Sequence, residues 1–349
     1  MKHNELLGLL GSFVLFCGCT PPPPETAEFF VFGTLVEVSI AGAQAGQSQF
    51  ALSELQQSFQ YMHENWHAWE AGQLVSINEA FASGQPGKAD KHIAELIRLS
   101  QQLELASGGR FNPAIGKLIG LWGFHTSQYP IQSPAPGGQS IRELVSLAPS
   151  TLNIKMALTG EDTWLLRSSN PSVQLDFGGI AKGYAVDLAL QLLDQYQFEG
   201  AIVNAGGDIK SFGFNHGKPW RVAIENPLGG IIGIVELGRE EAVFTSGNYQ
   251  RYGEDPSGFR YAHILDPRTG WPVPQMISAT VIAESGSLAD AAATALIVAG
   301  LDEWEEVANA MELKAILLTD ENGQVFMTSE MQKRLEETQN ISLNAVILD

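Results

Sequence analysis

Cysteine is nearly absent from this chain of 349 residues, and its two cysteines, Cys17 and Cys19, both lie close to the start. The sequence after Cys19 holds no thiol, so a disulfide or a zinc–thiolate site is excluded from the folded body. Such a body must be stabilised by its core alone. A chain of this length is ample for one large core or two smaller ones.

Basic residues are also scarce, since 20 Lys and Arg stand against 39 Asp and Glu, for a formal charge of −19. No Lys/Arg cluster or basic helix occurs, so nucleic acid is not expected as a partner. If so acidic a chain binds an anionic ligand, it needs local positive potential from a metal ion or a few placed lysines.

No hydrophobic run is long enough for a permanent membrane helix. Residues 6–16 are apolar and follow the basic Lys2 and His3, a pattern that predicts a signal peptide over residues 1–19. Gly18-Cys19 resembles the lipobox of bacterial lipoproteins, so we expect Cys19 to carry a lipid anchor on the periplasmic side of a membrane. An ordinary cleaved signal peptide is the alternative.

A proline-rich spacer follows the predicted signal peptide. Pro21 to Pro24 stiffen residues 20–27, which would hold the body away from the membrane surface. The remaining residues, 28–349, are predicted to form one large folded domain.

A mixed α+β fold with substantial antiparallel sheet is predicted for this domain. Helices and strands alternate irregularly, and several strand pairs have the spacing of hairpins. No glycine-rich dinucleotide loop follows a first strand, which disfavours a doubly wound nicotinamide enzyme. The apolar periodicity predicts helices at 48–69, 90–107, 183–196, 288–298 and 303–311, and strands at 29–40, 200–204, 220–225, 231–237, 242–246, 277–283 and 315–319.

Asp176-Phe-Gly-Gly-Ile-Ala-Lys182 places a carboxylate, a glycine pair and a lysine within seven residues. Glycines let backbone groups approach a phosphate closely, and a lysine can neutralise it. The alternative is a strand-to-helix turn with Lys182 on the surface. Asn204-Ala-Gly-Gly-Asp208 also allows two interpretations: Asp208 is a carboxylate that faces a ligand, or the segment is a plain β-turn.

His263 stands three residues before the turn-forming Asp266-Pro267. An imidazole titrates near neutral pH and suits proton transfer, although a lone histidine is more often structural. Asp290 and Thr294 are four residues apart on a predicted helix and share one face, where their oxygens would suit Mg²⁺. Ser287 and Asp290 also fit a helix capping box, and spacing alone favours that second interpretation.

Several motifs in one order together resemble the ApbE family, the FAD:protein FMN transferases, over nearly the whole mature chain. They are Phe32-Gly-Thr34, Trp69, Ser76-Ile-Asn78, Phe111 to Phe124, Asp176 to Tyr184, Gly206-Gly-Asp208, Pro219 to Glu225, Thr245-Ser-Gly247, His263 to Gly270 and Ala289 to Thr294. The resemblance implies a single ApbE-like α/β domain. It also implies an exported, often lipid-anchored, Mg²⁺-dependent enzyme.

The implied reaction cleaves FAD at its pyrophosphate, transfers FMN to a threonine of an exported acceptor flavoprotein, such as a redox-pump subunit, and releases AMP. His263 would be the base that takes the threonine proton, since imidazole titrates near neutral pH. The ligands of Mg²⁺ would be Asp290, Thr294 and the carbonyl of Gly179. The FAD contacts would be Phe32, Trp69, Arg110, Phe111, Asn112, Asp176, Lys182 and Ile264.

Two positions depart from the family pattern. Asn112 stands where the family usually has Asp, and Ala293 stands where some relatives have an acid. A neutral Asn112 can hydrogen-bond but cannot supply a charge, and Ala293 leaves fewer protein ligands for Mg²⁺, so FAD phosphates or water would supply more. Two other functions remain open: a Mg²⁺-dependent FAD pyrophosphatase in which water attacks, and a lipoprotein that binds flavin without turnover.

Overall fold

The computed structural model describes residues 22–337, apart from residues 45, 127, 133, 250, 257 and 259, together with residues 345–348. The predicted signal peptide and Cys19 lie outside the described residues. Within the described residues, no helix combines the length and the apolar character needed to cross a membrane.

The described residues form seventeen strands and eight α-helices. The helices are α1 Gln47–Trp66, α2 Gln73–Ala82, α3 Lys91–Ala106, α4 Gly116–Leu121, α5 Gly138–Ser146, α6 Ala181–Asp194, α7 Gly286–Ala310 and α8 Ser329–Arg334. The strands are β1 Glu25–Val31, β2 Thr34–Ala41, β3 Gly87–Ala89, β4 Ile154–Leu158, β5 Trp164–Ser168, β6 Gly200–Ala205, β7 Asp208–Gly213, β8 Arg221–Glu225, β9 Ile231–Glu236, β10 Glu240–Gly247, β11 Tyr252–Glu254, β12 Arg260–Ala262, β13 Met276–Ala283, β14 Ala315–Asp320, β15 Val325–Thr328, β16 Leu335–Glu337 and β17 Val346–Leu348.

A nine-stranded sheet in the order β1-β2-β6-β7-β10-β13-β14-β15-β17 organises the molecule. Its neighbouring strands are antiparallel except β15 and β17. Apolar side chains alternate along these strands, so each strand offers one set of residues to each face of the sheet. The predicted mixed α+β fold with substantial antiparallel sheet is confirmed.

Helices cover one face of the main sheet, and a smaller sheet covers part of the other. The central core joins strand residues such as Val38, Val203 and Phe244 to the buried faces of α1, α3, α6 and α7. On the opposite face, the three-stranded sheet β16-β9-β8 packs through Val222 and Ile224. The hairpin β11–β12 is separate and packs with α4 and α5 in a third cluster.

Helix α7 lies at the centre of the helical layer and is buried almost all round. Its alanine-rich first half packs against β10, β13 and α6, because small side chains allow close approach on every side. Gly300, with φ 61° and ψ −168°, interrupts the helix. The two helices predicted at 288–298 and 303–311 are therefore consecutive segments on either side of this break.

The region predicted as one strand over residues 29–40 is instead the hairpin β1–β2, which turns at Phe32-Gly33. Phe32 has a φ of 56°, which a bulky residue rarely adopts. The turn signal in this stretch is Gly33, which interrupts the strand pattern in the sequence. Strand β1 begins at Glu25, three residues before the predicted start of the domain.

Candidate active site

A cavity of about 890 Å³ opens at one end of the central strands. Ten of the predicted site residues line it: Arg110, Phe111, Asn112, Asp176, Gly179, Lys182, His263, Ile264, Asp290 and Thr294. They come from four separate parts of the chain, and the fold brings these separately predicted motifs together on one cavity.

Asp176 and the glycines after it form the turn that leads into α6. The Asp176 carboxylate accepts hydrogen bonds from the Gly178 N–H at 2.9 Å and from the Trp69 indole N–H at 2.8 Å. The segment is therefore the predicted strand-to-helix turn, and this turn forms part of the cavity wall.

Lys182 stands in the first turn of α6 and forms an ion pair with Asp208. Asp208 is 3% exposed and also accepts a hydrogen bond from the Thr245 N–H at 3.1 Å. Asn204 Oδ1 accepts a hydrogen bond from the Gly207 N–H, as expected for the β-turn between β6 and β7. Asp208 is thus both the end of a turn and the counter-ion of the cavity lysine.

Asp290 does not cap α7. The cap is Ser285, whose hydroxyl accepts a hydrogen bond from the Leu288 N–H at 3.2 Å, and Asp187 of α6 accepts from the Gly286 and Ser287 N–H groups. The capping-box interpretation of Ser287 and Asp290 is wrong, because the helix begins earlier than its apolar pattern indicates.

The Asp290 carboxylate instead faces α6 and the cavity. It accepts a hydrogen bond from the Gly183 N–H at 3.0 Å and is 4% exposed. Burial raises the pKa of Asp290, against the opposing effects of the Lys182 charge and the Gly183 N–H. A carboxylate so removed from water favours a bound proton or a cation.

Hydroxyl groups lie beside this carboxylate. Thr294 Oγ1 is 3.0 Å from Ser246 Oγ, and a Cβ built on Gly179 would lie 3.3 Å from Thr294 Oγ1. Among the described residues, no group of three or more His, Cys, Asp or Glu side chains could hold a metal. A metal here would therefore be held by one carboxylate with hydroxyl and carbonyl oxygens, a donor set that suits Mg²⁺.

His263 follows β12 and lies across the hairpin from Arg251. Its Nδ1 is 3.1 Å from the Arg251 carbonyl oxygen, and its ring meets Phe124 edge-on at 6.1 Å. Burial, aided by the nearby Arg251 guanidinium, lowers the pKa of His263 to about 4. The imidazole is therefore neutral at physiological pH. The predicted turn at Asp266-Pro267 is present, closed by the Gly270 N–H donating to the Asp266 carbonyl at 2.7 Å.

Two of the polar residues that line the cavity have structural partners. Arg110 is 5% exposed and forms ion pairs with Glu303 at 3.0 Å and Glu306 at 2.8 Å, beyond the Gly300 break of α7. The Asn112 amide donates to the Pro149 carbonyl and accepts from the Ala114 N–H, both at 2.9 Å. Their polar groups hold the Phe111 loop, so the structure gives them a supporting role.

Phe32 and Trp69 are not among the residues that line the cavity. The Phe32 ring packs edge-on against Phe59 with ring centroids 5.8 Å apart. Trp69 lies behind Asp176, which it reaches through the indole N–H. Both aromatic residues thus lie outside the cavity lining, although Trp69 contacts it through Asp176, another of the implied FAD contacts.

Comparisons with known proteins agree on one family. Residues 32–317 match the model of the ApbE family. The chain is 42% identical over 337 residues to an FAD:protein FMN transferase of Rhodobacter capsulatus, an alignment that covers 95% of this chain and 62% of that relative. It is 35% identical over 260 residues to one of Haemophilus influenzae, covering 71% of each chain.

Solved structures show the same fold. The ApbE protein of Thermotoga maritima superposes with a TM-score of 0.79 at 28% identity, covering 90% of this chain and 100% of that one. The flavin transferase ApbE of Vibrio cholerae gives 0.75 at 25% identity with the same coverage. The chain spans less than two thirds of the Rhodobacter relative but the full length of both of these structures.

Proposed function

The chain belongs to the ApbE family, and we propose from this that it is an FAD:protein FMN transferase. The observation that carries the proposal is the meeting of His263, the Lys182–Asp208 pair, Asp290 and Thr294 on one cavity. This cavity offers a neutral base, a cation and hard oxygen donors, which are the groups that phosphoryl transfer from a pyrophosphate requires.

In the proposed reaction, a threonine hydroxyl of the acceptor attacks the phosphorus of the FMN half of FAD. A new phosphoester bond forms, the pyrophosphate P–O bond to the adenosine half breaks, and AMP leaves with the bridging oxygen. The hydroxyl proton must go to a base as the oxygen–phosphorus bond forms.

The hydrogen bond at Nδ1 of His263 supports proton transfer at the other ring nitrogen. A carbonyl oxygen only accepts hydrogen bonds, so the contact with the Arg251 carbonyl requires the proton to be on Nδ1. Nε2 of the neutral ring is then free to accept the threonine proton. Because its pKa lies near 4, almost every molecule at neutral pH has the base in the required form.

Lys182 and Arg251 supply positive charge in a protein whose formal charge is −19. Both line the cavity, and the Arg251 guanidinium is near enough to lower the pKa of His263. We propose that these cations draw in the pyrophosphate and that Asp208 fixes the position of the lysine. Electrostatic attraction of this kind is strongest where the surrounding walls exclude water.

Asp290, Thr294 and Ser246 fit a magnesium ion by the chemistry of their oxygens. When bound there, Mg²⁺ would neutralise pyrophosphate charge that otherwise repels the attacking hydroxyl. The burial of Asp290 supports the assignment, since a carboxylate that is 4% exposed gains from a cationic partner.

Mass spectrometry of a threonine-containing acceptor domain, after incubation with the soluble body, FAD and Mg²⁺, tests the function. A mass gain equal to FMN less one water, with AMP released, is expected. FMN and AMP without a mass gain would identify water as the acceptor, and intact bound FAD would identify a flavin-binding protein.

Two variants test the assigned residues. His263→Ala should bind FAD normally and lose transfer by roughly 10²- to 10⁴-fold, the usual contribution of a general base. Asp290→Ala should abolish the response to Mg²⁺ while the protein stays folded. A lower melting temperature with an unchanged Mg²⁺ response would show that Asp290 is only structural.

We also propose that the enzyme works on the periplasmic side of a bacterial membrane, tethered by a lipid on Cys19. The support is the arrangement of residues 1–24: a basic start, a short apolar run, Gly18-Cys19 and four prolines. A lipid anchor with a stiff spacer would place the cavity where exported acceptor flavoproteins lie.

A further inference from the structure

Strand β8 has a free edge that faces the cavity. It is the outer strand of the sheet β16-β9-β8, and β9 is its pairing partner among the described residues. All five of its residues, Arg221 to Glu225, line the cavity. A strand edge of this kind presents unpaired N–H and C=O groups to whatever enters.

The register identifies which backbone groups point outward. The Leu237 N–H donates to the Trp220 carbonyl at 2.8 Å, so this pair is hydrogen-bonded. Hydrogen-bonded and non-hydrogen-bonded pairs alternate in an antiparallel ladder, and the register pairs Arg221 with Glu236 and Ala223 with Ile234. Arg221 and Ala223 therefore direct their N–H and C=O groups away from β9.

The floor beside this edge is the outer face of the main sheet. Glu28, Glu37, Ser39, Ile202 and Asn204, from β1, β2 and β6, line the same cavity. Strand β8 packs onto this face in one hydrophobic cluster that also includes Ile202. A strand added to β8 would thus lie over the floor, with alternate side chains pointing into it.

The charge of the floor indicates what such a strand would carry. Glu28 and Glu37 are direct cross-strand partners in β1 and β2, and like charges in that position repel each other. Glu225 faces the same cavity, while the nearby Arg221 is already paired with Glu336. A basic side chain from a bound segment would relieve this repulsion.

We propose that β8 is the docking edge for the acceptor polypeptide. An extended acceptor segment adds as a new strand along Arg221–Glu225, with a basic side chain over Glu28 and Glu37 and its threonine directed to His263 in the same cavity. The five residues of this edge extend roughly 17 Å. Backbone hydrogen bonds over that length would fix the register and orientation of the acceptor segment without requiring a particular acceptor sequence. This inference rests on the proposed function and specifies how the acceptor binds.

Ala223→Pro tests the backbone contact, because proline removes the outward N–H and leaves the pairing with β9 intact. We expect the KM for the acceptor domain to rise about tenfold, as for the loss of one or two hydrogen bonds, with the KM for FAD unchanged. The matched control is Leu158→Pro on the edge strand β4. Its N–H also points outward, since the next residue, Thr159, donates to the Thr163 carbonyl.

Hydrogen exchange on the wild-type enzyme gives a second measurement that needs no variant of β8. Adding an acceptor domain with its threonine changed to valine should slow exchange of the amides of residues 221 and 223. Glu37→Gln should raise the KM for the acceptor, and the rise should shrink at high salt because the contact is ionic.

The outcomes separate the inference from the function. If the wild-type enzyme transfers FMN but the Ala223→Pro variant keeps a normal acceptor KM and the β8 amides gain no protection, the docking edge is wrong and the function stands. If deleting residues 1–24 speeds hydrogen exchange of these β8 amides in the enzyme alone, with no acceptor added, the chain's own N-terminal segment occupies the edge. That result would also overturn the inference. Absence of transfer to any acceptor would remove the function itself.

Discussion

The low pKa of His263 makes the pH dependence of transfer a direct test of the proposed base. With a pKa of about 4, roughly 1% of the imidazole is protonated at pH 6 and far less at pH 8. The kcat/KM for FAD should therefore be flat between these values. An imidazole with the ordinary value of 6.5 would be only about one quarter neutral at pH 6, and kcat/KM would fall about fourfold.

The assay is initial-rate FMN transfer from pH 5 to 8, with Mg²⁺ saturating at every pH because the pKa of Asp290 is raised and its protonation would weaken metal binding. Arg251→Gln is the diagnostic variant. It removes the guanidinium charge but keeps the carbonyl, so the pKa of His263 should rise and kcat/KM should begin to fall at a higher pH. A fourfold fall in the wild type between pH 8 and 6 would refute this account of the base.

The same pKa shift has a consequence for stability. The folded imidazole binds its proton more weakly than the unfolded one, so protonation favours the unfolded chain. The contribution of His263 to the free energy of unfolding is therefore complete above pH 6.5 and decreases as the pH falls towards about 4.

Three further predictions concern the contact between α6 and α7 beneath the cavity and the proposed lipid anchor at Cys19. In Gly183→Ala, the new Cβ would lie 2.3 Å from the Gly286 carbonyl oxygen, so the free energy of unfolding in urea should fall by about 1–3 kcal/mol; an unchanged midpoint would show that α6 and α7 can separate freely. Asp187→Ala leaves Lys210, whose side chain is 9% exposed, without its carboxylate, and should destabilise by about 3–5 kcal/mol, with Asp187→Asn as the milder control that keeps the acceptor oxygen. Cys19→Ser should move the protein from the membrane to the soluble exported fraction, and continued membrane retention would indicate an uncleaved leader.

Local patterns in the sequence were sufficient for most helices and for the fold class. The helix predicted at 183–196 is α6, and the strands predicted at 220–225 and 231–237 are the hairpin β8–β9. These elements depend on side-chain periodicity over a few residues, which the sequence contains directly.

Contacts between distant residues were not predictable in the same way. The ion pair between Lys182 and Asp208 joins residues 26 apart. The first backbone N–H groups of α7 donate to Asp187, which belongs to a different helix, α6. The capping-box interpretation failed for that reason, because spacing within one segment cannot show that a partner comes from elsewhere. Arg251 lies in none of the sequence motifs, so its contact with His263 could not be predicted. The antiparallel pairing of β11 with β12 brings the Arg251 carbonyl next to the His263 ring.

The cavity is built from two pieces of unequal rigidity. Lys182 and Asp290 belong to α6 and α7, whose starts meet backbone to backbone at Gly183 and Gly286 within the main core. His263 instead extends from β11–β12, a two-stranded hairpin supported by a small cluster of its own around Tyr261. Such a hairpin is expected to open at a lower free energy than the core. Brief opening would withdraw His263 and the neighbouring Arg251 while Lys182 and Asp290 stay in place, so the stability of this hairpin would set the fraction of time in which a bound FAD lies beside the base.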